Sequence, residues 1–200
     1  MPPARLLAVC TANISRSPAV ERLLRAGFDN TVHVESAGVA ALVGEPIDPP
    51  VASFLKEREA ETSRFSARQV DERMLADADV VLTLTRAHRV AVLELVPAVV
   101  RRTFTLLEFA RVLKSLDLSG LPAGLSAGDR MRAILPLATA GRALAPRAPA
   151  GGDDVPDPYG HGDAAYGLSL AMIGEAVDTI VRLIAGPSPE GAPGPLPGAG

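Results

Sequence analysis

The sequence contains one cysteine and no tryptophan among its 200 residues. A single cysteine excludes an intramolecular disulfide, so we expect a protein of the reducing cytoplasm. Apolar runs stay far short of the roughly 20 residues that cross a bilayer, and the N-terminal segment MPPARLLAV lacks the length and cleavage site of a signal peptide. The net charge of −3 gives no electrostatic basis for a nucleic-acid or anionic-membrane partner. We therefore expect a cytoplasmic protein without membrane insertion or bound nucleic acid.

Apolar residues, by contrast, are abundant enough to form a core. Hydrophobic residues make up 48% of the chain and charged residues 22%, as in a globular protein. We predict one domain over residues 1–185. Its stretch at about 117–152 is rich in glycine and proline and is predicted to be loop-rich, with one helix near Asp129–Leu137. Residues 186–200 are predicted to be a disordered Pro/Gly-rich tail.

Short apolar runs alternate with segments of helical periodicity along most of the chain. Runs of strand length occur at Arg5–Val9, Thr31–Glu35, Asp79–Leu84 and Arg102–Leu106. Helices are predicted from Pro18 and over Pro49–Arg58, Asp71–Ala78, Arg86–Leu95, Leu107–Leu116 and Ala164–Ile184. This order predicts a three-layer α/β/α fold with a four-stranded parallel sheet. Ligands of such sheets bind beyond the carboxyl ends of the strands, where the loop at Cys10 begins.

The same periodicity predicts which helical side chains face water. In the first helix, Glu21, Arg22 and Arg25 are assigned to the exposed face. Val90 is assigned to the inner face of the helix Arg86–Leu95, and Leu168 to the inner face of the last helix. These assignments depend only on the spacing of the apolar residues.

The segment CTANISRSP, from Cys10 to Pro18, joins the first strand to the first helix. A cysteine and an arginine at this spacing can form a cradle for a tetrahedral oxyanion, because backbone N–H groups and the helix N-terminus face the bound charge. The guanidinium of Arg16 matches two phosphate oxygens, and the same field favours the thiolate of Cys10 over the thiol. The pair alone is common by chance, as a buried cysteine and a solvated arginine. Its position between a strand and a helix favours phosphate chemistry.

VCTANISRSP resembles the phosphate-binding loop of low-molecular-weight protein tyrosine phosphatases, which reads V-C-x-G-N-x-x-R-S-P. The resemblance continues in order through Glu35–Gly38 (ESAG), Ser66–Gln69 (SARQ), Ala78–Arg86 and Asp157–Gly160 (DPYG). It covers roughly Arg5–Leu113 and Asp154–Ile184, and it leaves 117–152 as an insertion within the domain. Several motifs in the right order are a stronger indication than the loop alone.

The resemblance implies a role for each residue of the site. Cys10 would attack phosphorus and form a phosphocysteine, and Arg16 would bind the oxygens of the transferred group. Asp157, restrained by Pro158, would protonate the leaving phenolate and then assist water, with Asp154 as the alternative acid. Tyr159 would stack against an aryl substrate. Asn13, Ser17 and Ser36 would brace the loop, and Ser17 would also hydrogen-bond the thiolate. The loop residues that would bind the substrate are Thr11, Ala12, Asn13, Ile14, Ser15 and Ser17.

The implied reaction is the hydrolysis of phosphotyrosine in proteins, or of small aryl phosphates, without a metal or other cofactor. The implied partners are a tyrosine-phosphorylated protein and a tyrosine kinase of the same pathway.

Four residues depart from the family's pattern. Ala12 replaces a glycine, Ser15 replaces the second cysteine of many members, Leu42 stands near the usual tryptophan, and Phe65 replaces a histidine of the bracing network. These changes leave substrate identity open. One hypothesis for the 117–152 insertion is a lid or partner surface, and the simpler interpretation is a tolerated surface loop.

Two other functions fit the same loop. A single-cysteine arsenate reductase would use Cys10 and an external thiol, but it would have no aryl leaving group for Asp157 to protonate. A phosphotyrosine- or anion-binding module would use the cradle without turnover. The intact set of Cys10, Arg16 and Asp157 favours the phosphatase over both.

Overall fold

The computed structural model describes residues 1–186. Its sheet has four parallel strands, β1 (Ala4–Cys10), β2 (Val32–Gly38), β3 (Val80–Thr83) and β4 (Thr103–Thr105), in the order β2-β1-β3-β4. The predicted parallel sheet is confirmed. β2 runs beyond its predicted end at Glu35, because Ser36, Ala37 and Gly38 continue the pairing with β1 as far as Cys10.

Seven α-helices and one 3₁₀ helix surround the sheet in this part of the chain. They are α1 (Arg16–Gly27), α2 (Pro49–Glu57), α3 (Glu72–Asp77), α4 (Arg86–Leu95), the 3₁₀ helix Pro97–Arg102, α5 (Leu106–Ser115), α6 (Ala127–Gly141) and α7 (Asp163–Ala185). The boundaries agree with the predicted ones to within about two residues, except at α6.

Both faces of the sheet are covered, which makes the fold three-layered as predicted. Alternate residues of β1 point to opposite faces, so Leu6 and Ala8 lie in one core and Leu7 and Val9 in the other. The larger core includes buried residues of α1, α2, α5, α6 and α7, and the smaller one includes those of α3 and α4. This double burial explains why the strands read as continuous apolar runs.

The 117–152 segment contains more regular structure than its sequence indicated. α6 buries Met131, Ile134 and Ala138 in the larger core. The amide of Gly128 donates to Thr31 Oγ1 at 2.9 Å, just before β2 begins. The helix therefore lies at the amino ends of the strands, opposite the end that carries Cys10, and α6 is not a lid over the site.

Two predicted inward-facing residues are exposed. On α4 the buried apolar residue is Val92, whereas Val90 is 56% exposed. On α7, Leu170 is buried while Leu168 is 58% exposed. Helix α7 is also the longest one, and none of the helices described over residues 1–186 is long and apolar enough to cross a membrane. All of the predicted tail except Gly186 lies outside the described residues.

Candidate active site

The loop between β1 and α1 holds the cysteine at the carboxyl end of the central strand. Cys10 is the last residue of β1 and is 2% exposed. Its Sγ lies 2.9 Å from the hydroxyl of Ser17 on α1. The two atoms are within hydrogen-bonding distance, and either of them can be the donor.

Asn13 fixes the shape of this loop. Its φ of +58° lies in the left-handed region, which asparagine tolerates better than most residues. Its Nδ2 donates to Ser17 Oγ at 3.0 Å and to Ser36 Oγ at 2.9 Å, while its Oδ1 accepts from the amide of Arg68 at 2.9 Å. Asn13, Ser17 and Ser36, expected from the resemblance to brace the loop, are all fully buried and form one network.

The substitutions in the loop are accommodated in different ways. Ala12 does not have a positive φ, so a side chain there causes no backbone strain. Gly38, by contrast, is required, since a Cβ at this residue would come within 2.3 Å of the carbonyl oxygen of Thr11. Ile14 is buried, and the hydroxyl of Ser15 is buried with no hydrogen-bond partner among the described residues.

The bracing network extends to Glu21, which the sequence analysis assigned to water. The hydroxyl of Ser36 donates to Glu21 Oε2 at 2.5 Å, and Arg25 donates to Oε1 at 3.0 Å. Glu21 is 4% exposed, and the neighbouring Arg22 is 5% exposed, with its guanidinium 5.5 Å from the ring of Phe65. The predicted exposure of Glu21 and Arg22 was therefore wrong. Ser17 and Glu21 are four residues apart on one helix face, and this spacing was the available signal.

Arg16 opens α1 and directs its guanidinium across the loop. Nη1 donates to the carbonyl of Val155 at 3.2 Å, and Nη2 donates to Asp157 Oδ2 at 2.5 Å. Its Nε is buried with no partner among residues 1–186. A buried guanidinium with a spare donor is suited to binding an additional oxyanion, because an unmade hydrogen bond here costs free energy.

The structure separates the two candidate acids. Asp157 contacts Arg16 and is about half exposed, so an incoming substrate can reach it. Asp154 accepts from the backbone amide of Arg86 at 2.7 Å and lies 3.6 Å from the Arg86 side chain. Asp154 thus anchors the acidic loop to α4, and Asp157 is the carboxylate that lies at the phosphate loop.

Two apolar groups lie beside these residues. Tyr159 is 56% exposed, and its amide donates to Asp157 Oδ1 at 3.3 Å. Leu42 is 45% exposed, and its amide donates to the carbonyl of Ala12 at 3.0 Å. The backbones of the tyrosine and the leucine are therefore each tied to a residue of the predicted site, and both side chains are exposed.

His88, which the sequence analysis did not single out, lies beside the phosphate loop. Its Nε2 lies 2.8 Å from the hydroxyl of Thr11. Burial, together with the neighbouring Arg16 guanidinium, lowers the pKa of His88 from 6.5 to about 4. The imidazole is therefore neutral at physiological pH. No spacing in the sequence links His88 to Thr11, since they come from different strand–helix connections.

One family of known proteins matches the part of the chain that contains the loop. Residues 5–120 match the family model described as low molecular weight phosphotyrosine protein phosphatase. The chain belongs to this family. The matched region contains Cys10, Arg16 and Ser36 but ends before Asp157, which the fold brings back to the loop.

Characterised relatives and solved structures agree with the family. The chain is 37% identical over 93 residues to the low molecular weight protein-tyrosine-phosphatase Wzb of Salmonella typhi, and 38% identical over 92 residues to that of Escherichia coli K12. Each match covers 46% of this chain and 62% of the relative. The chain thus spans less than two thirds of these relatives' length.

The fold is shared over a longer region than the sequence similarity. The structure of Vibrio vulnificus Wzb in complex with benzylphosphonate superposes with a TM-score of 0.65 at 21% identity, over 90% of this chain and 97% of that one. The YwlE arginine phosphatase of Geobacillus stearothermophilus gives a TM-score of 0.65 at 24% identity, over 90% and 92% of the two chains. At these identities the likeness concerns the fold alone.

Proposed function

We propose that the protein hydrolyses phosphotyrosine in proteins, and small aryl phosphates, through a phosphocysteine intermediate. The observation that carries the proposal is the contact between Arg16 and Asp157, 2.5 Å apart, beside the loop of Cys10. This arrangement gathers a nucleophile, a phosphate-binding cation and a proton donor at one point. Family membership supports the same reaction class.

In the first step the thiolate of Cys10 attacks phosphorus, and the S–P bond forms as the bond to the aryl oxygen breaks. Arg16 and the loop amides hold the phosphoryl oxygens. Asp157, in its protonated form, gives its proton to the leaving phenolate. The contact between Ser17 and Sγ favours the thiolate that starts this step.

In the second step Asp157 acts as a base. Its carboxylate accepts a proton from water as the water oxygen attacks the phosphocysteine. Inorganic phosphate is released and Cys10 returns as a thiolate. Both steps are written with the side chains described, the backbone amides of the loop and water.

The proposed substrate is an aryl phosphate because the groups tied to the site include Tyr159 and Leu42. An aromatic ring of the substrate can stack on the exposed tyrosine, and the exposed leucine offers a second apolar surface. A tyrosine-phosphorylated protein is then the proposed partner, and a tyrosine kinase must exist to produce it. The reduced state that Cys10 requires is consistent with a cytoplasmic location, which we include in the proposal.

The two other functions are less well supported by this geometry. A reductase acting on arsenate would not need the carboxylate of Asp157 in contact with Arg16. A binding module would not need a cysteine with a hydroxyl at 2.9 Å from its sulfur.

The proposal is tested by hydrolysis of para-nitrophenyl phosphate in EDTA by the wild type, Cys10→Ser and Arg16→Lys. We expect turnover in the wild type, none in Cys10→Ser, and a loss of at least about 10²-fold in Arg16→Lys, since lysine cannot make the two parallel bonds. Arg64→Lys, an exposed arginine with no ion pair among the described residues, is the matched control. Equal activity of Cys10→Ser and wild type would overturn the mechanism.

Peptides then decide the substrate class. Phosphotyrosine, phosphoserine and phosphoarginine peptides of one sequence are compared by phosphate release. We expect release from phosphotyrosine to dominate. A preference for phosphoarginine, the substrate named for a protein of the same fold, would refute the aryl specificity and keep the cysteine chemistry.

A further inference from the structure

His88 and Thr11 form a hydrogen-bonded pair at the edge of the phosphate loop. Thr11 directly follows Cys10, and its Oγ1 lies 2.8 Å from His88 Nε2 and 3.5 Å from Arg16 Nη2. The backbone of His88 is held in the first turn of α4, where its amide donates to the side chain of Thr85 at 3.1 Å. The imidazole is 6% exposed, so its orientation is fixed by packing.

The surroundings of the ring select one tautomer. Nδ1 of His88 is buried and has no hydrogen-bond partner among the described residues. A proton on Nδ1 would therefore be an unsatisfied buried donor, which costs more free energy than an unprotonated ring nitrogen in the same place. The proton of the neutral ring belongs on Nε2, which donates it to Thr11 Oγ1.

This tautomer determines what the hydroxyl of Thr11 can do. A hydroxyl has one proton and two lone pairs. If Oγ1 accepts from His88 and, at longer range, from Arg16, both lone pairs are engaged and only the proton remains to be used. In the opposite tautomer Nε2 would accept a hydrogen bond from the Thr11 hydroxyl, so Oγ1 would turn a lone pair towards an incoming anion and repel it.

We propose that Thr11 donates its hydroxyl proton to the phosphate bound in the loop, and that His88 is the positioning residue that makes Thr11 a donor. The inference deepens the proposed function, since it concerns the same site. In this role the Thr11 side chain donates a hydrogen bond to a phosphate oxygen, as the backbone amides of the loop do. His88 itself does not touch the substrate.

The first test is a direct observation of the tautomer in the wild type. The ¹⁵N resonances of the His88 ring distinguish a protonated from an unprotonated Nδ1 at pH 7. We expect Nδ1 to be unprotonated and Nε2 to carry the proton, with and without bound vanadate. A proton on Nδ1 would overturn the proposal without any variant being made.

The second test is a double-mutant cycle on the dissociation constant of inorganic phosphate and of vanadate, measured by titration without turnover. Thr11→Val removes the hydroxyl and keeps the shape, and should weaken binding by about tenfold, or about 1.4 kcal/mol. His88→Ala should cause a comparable loss in the wild type and no further loss in Thr11→Val. His88→Gln, whose amide can donate to Thr11, should recover most of the affinity, and the exposed His33→Ala is the control.

The cycle distinguishes a positioning role from a packing role. If His88→Ala weakened phosphate binding equally with and without the Thr11 hydroxyl, the residue would act by packing alone and the proposal would be wrong. Because anion binding is read separately from hydrolysis, a protein that binds phosphate without turnover would refute the proposed function and still test this pair. Conversely, normal turnover with unchanged phosphate binding in Thr11→Val would refute only the pair.

Discussion

Of the residues that do not contact the substrate, Glu21 is the one whose removal we expect to damage the site most. Its carboxylate accepts from Ser36 at 2.5 Å and from Arg25 at 3.0 Å, and it lies 3.6 Å from the buried Arg22. Glu21→Ala leaves the Arg22 guanidinium buried with only the exposed Glu61 carboxylate nearby, at 3.6 Å. Breaking a buried charge pair on one side typically costs about 3–5 kcal/mol. Glu21→Gln keeps the shape and an acceptor, so we expect about 1–3 kcal/mol.

Urea unfolding measures the loss of folding stability in Glu21→Ala. With a slope of up to about 3 kcal/mol per molar, a loss of 3 kcal/mol lowers the midpoint by about 1 M or more. Glu94→Ala is the control, because Glu94 is exposed on α4 and has no ion pair among the described residues. If Glu21→Ala were no more destabilising than Glu94→Ala, our account of the buried network would be refuted.

The affinity for inorganic phosphate measures the effect of Glu21→Ala on the loop. Ser36 loses its acceptor in Glu21→Ala, and the bond from Asn13 to Ser36 loses its anchor. We expect inorganic phosphate to bind several-fold more weakly in conditions where the variant is still folded. Destabilisation with unchanged phosphate affinity would mean that the network supports the fold and not the loop.

Three further outcomes are expected. Burial lowers the pKa of His88 from 6.5 to about 4, so the neutral ring contributes to the free energy of unfolding above pH 6.5, and up to about 3 kcal/mol of it is lost as the pH falls through 4. Unfolding of His88→Gln should lack this part of the pH dependence. An identical pH profile of the two proteins would contradict the assignment. Asp157→Ala should lower kcat/KM, which reports the first step, by about 10²–10⁴-fold for aryl phosphates with poor leaving groups and spare those of acidic phenols. An equal loss of kcat/KM across leaving groups would rule Asp157 out as the acid. Leu42→Trp should lower the KM for aryl phosphates several-fold through ring contact worth about 0.5–1.5 kcal/mol, with Val43→Trp as the neighbouring control, and an unchanged KM would place Leu42 outside the substrate's reach.

Local patterns predicted the sheet well because its strands are buried on both faces. An apolar run such as that of β3 has the length of a strand rather than of a helix and is rich in β-branched residues, which together favour a buried strand. Helix faces were harder to predict. α4 has apolar residues on more than one side, and the rest of the fold, rather than the period, decides that Val92 is inside and Val90 outside.

The errors at Glu21 and Arg22 have a different cause. A charged residue is assigned to water because an isolated charge is costly to bury. Here the carboxylate and the guanidinium are buried together, and the carboxylate also receives the Ser36 hydroxyl. Ser36 comes from β2, so the compensation depends on a contact between elements that a local pattern does not contain.

The anchors of the segment before Asp157 explain how the chain accommodates α6 and its connections. Asp153, Asp154 and Val155 each have an anchor outside the 117–152 segment: Asp153 accepts from Arg111 on α5 at 2.5 Å, Asp154 accepts from the Arg86 amide, and the Val155 amide donates to the carbonyl of Leu84 at 2.8 Å. Asp157 therefore takes its position from the end of β3 and from α4 and α5. The 117–152 segment can be lengthened at the amino ends of the strands, where α6 lies. The residues just before Asp157 are unaffected, because their anchors lie outside that segment.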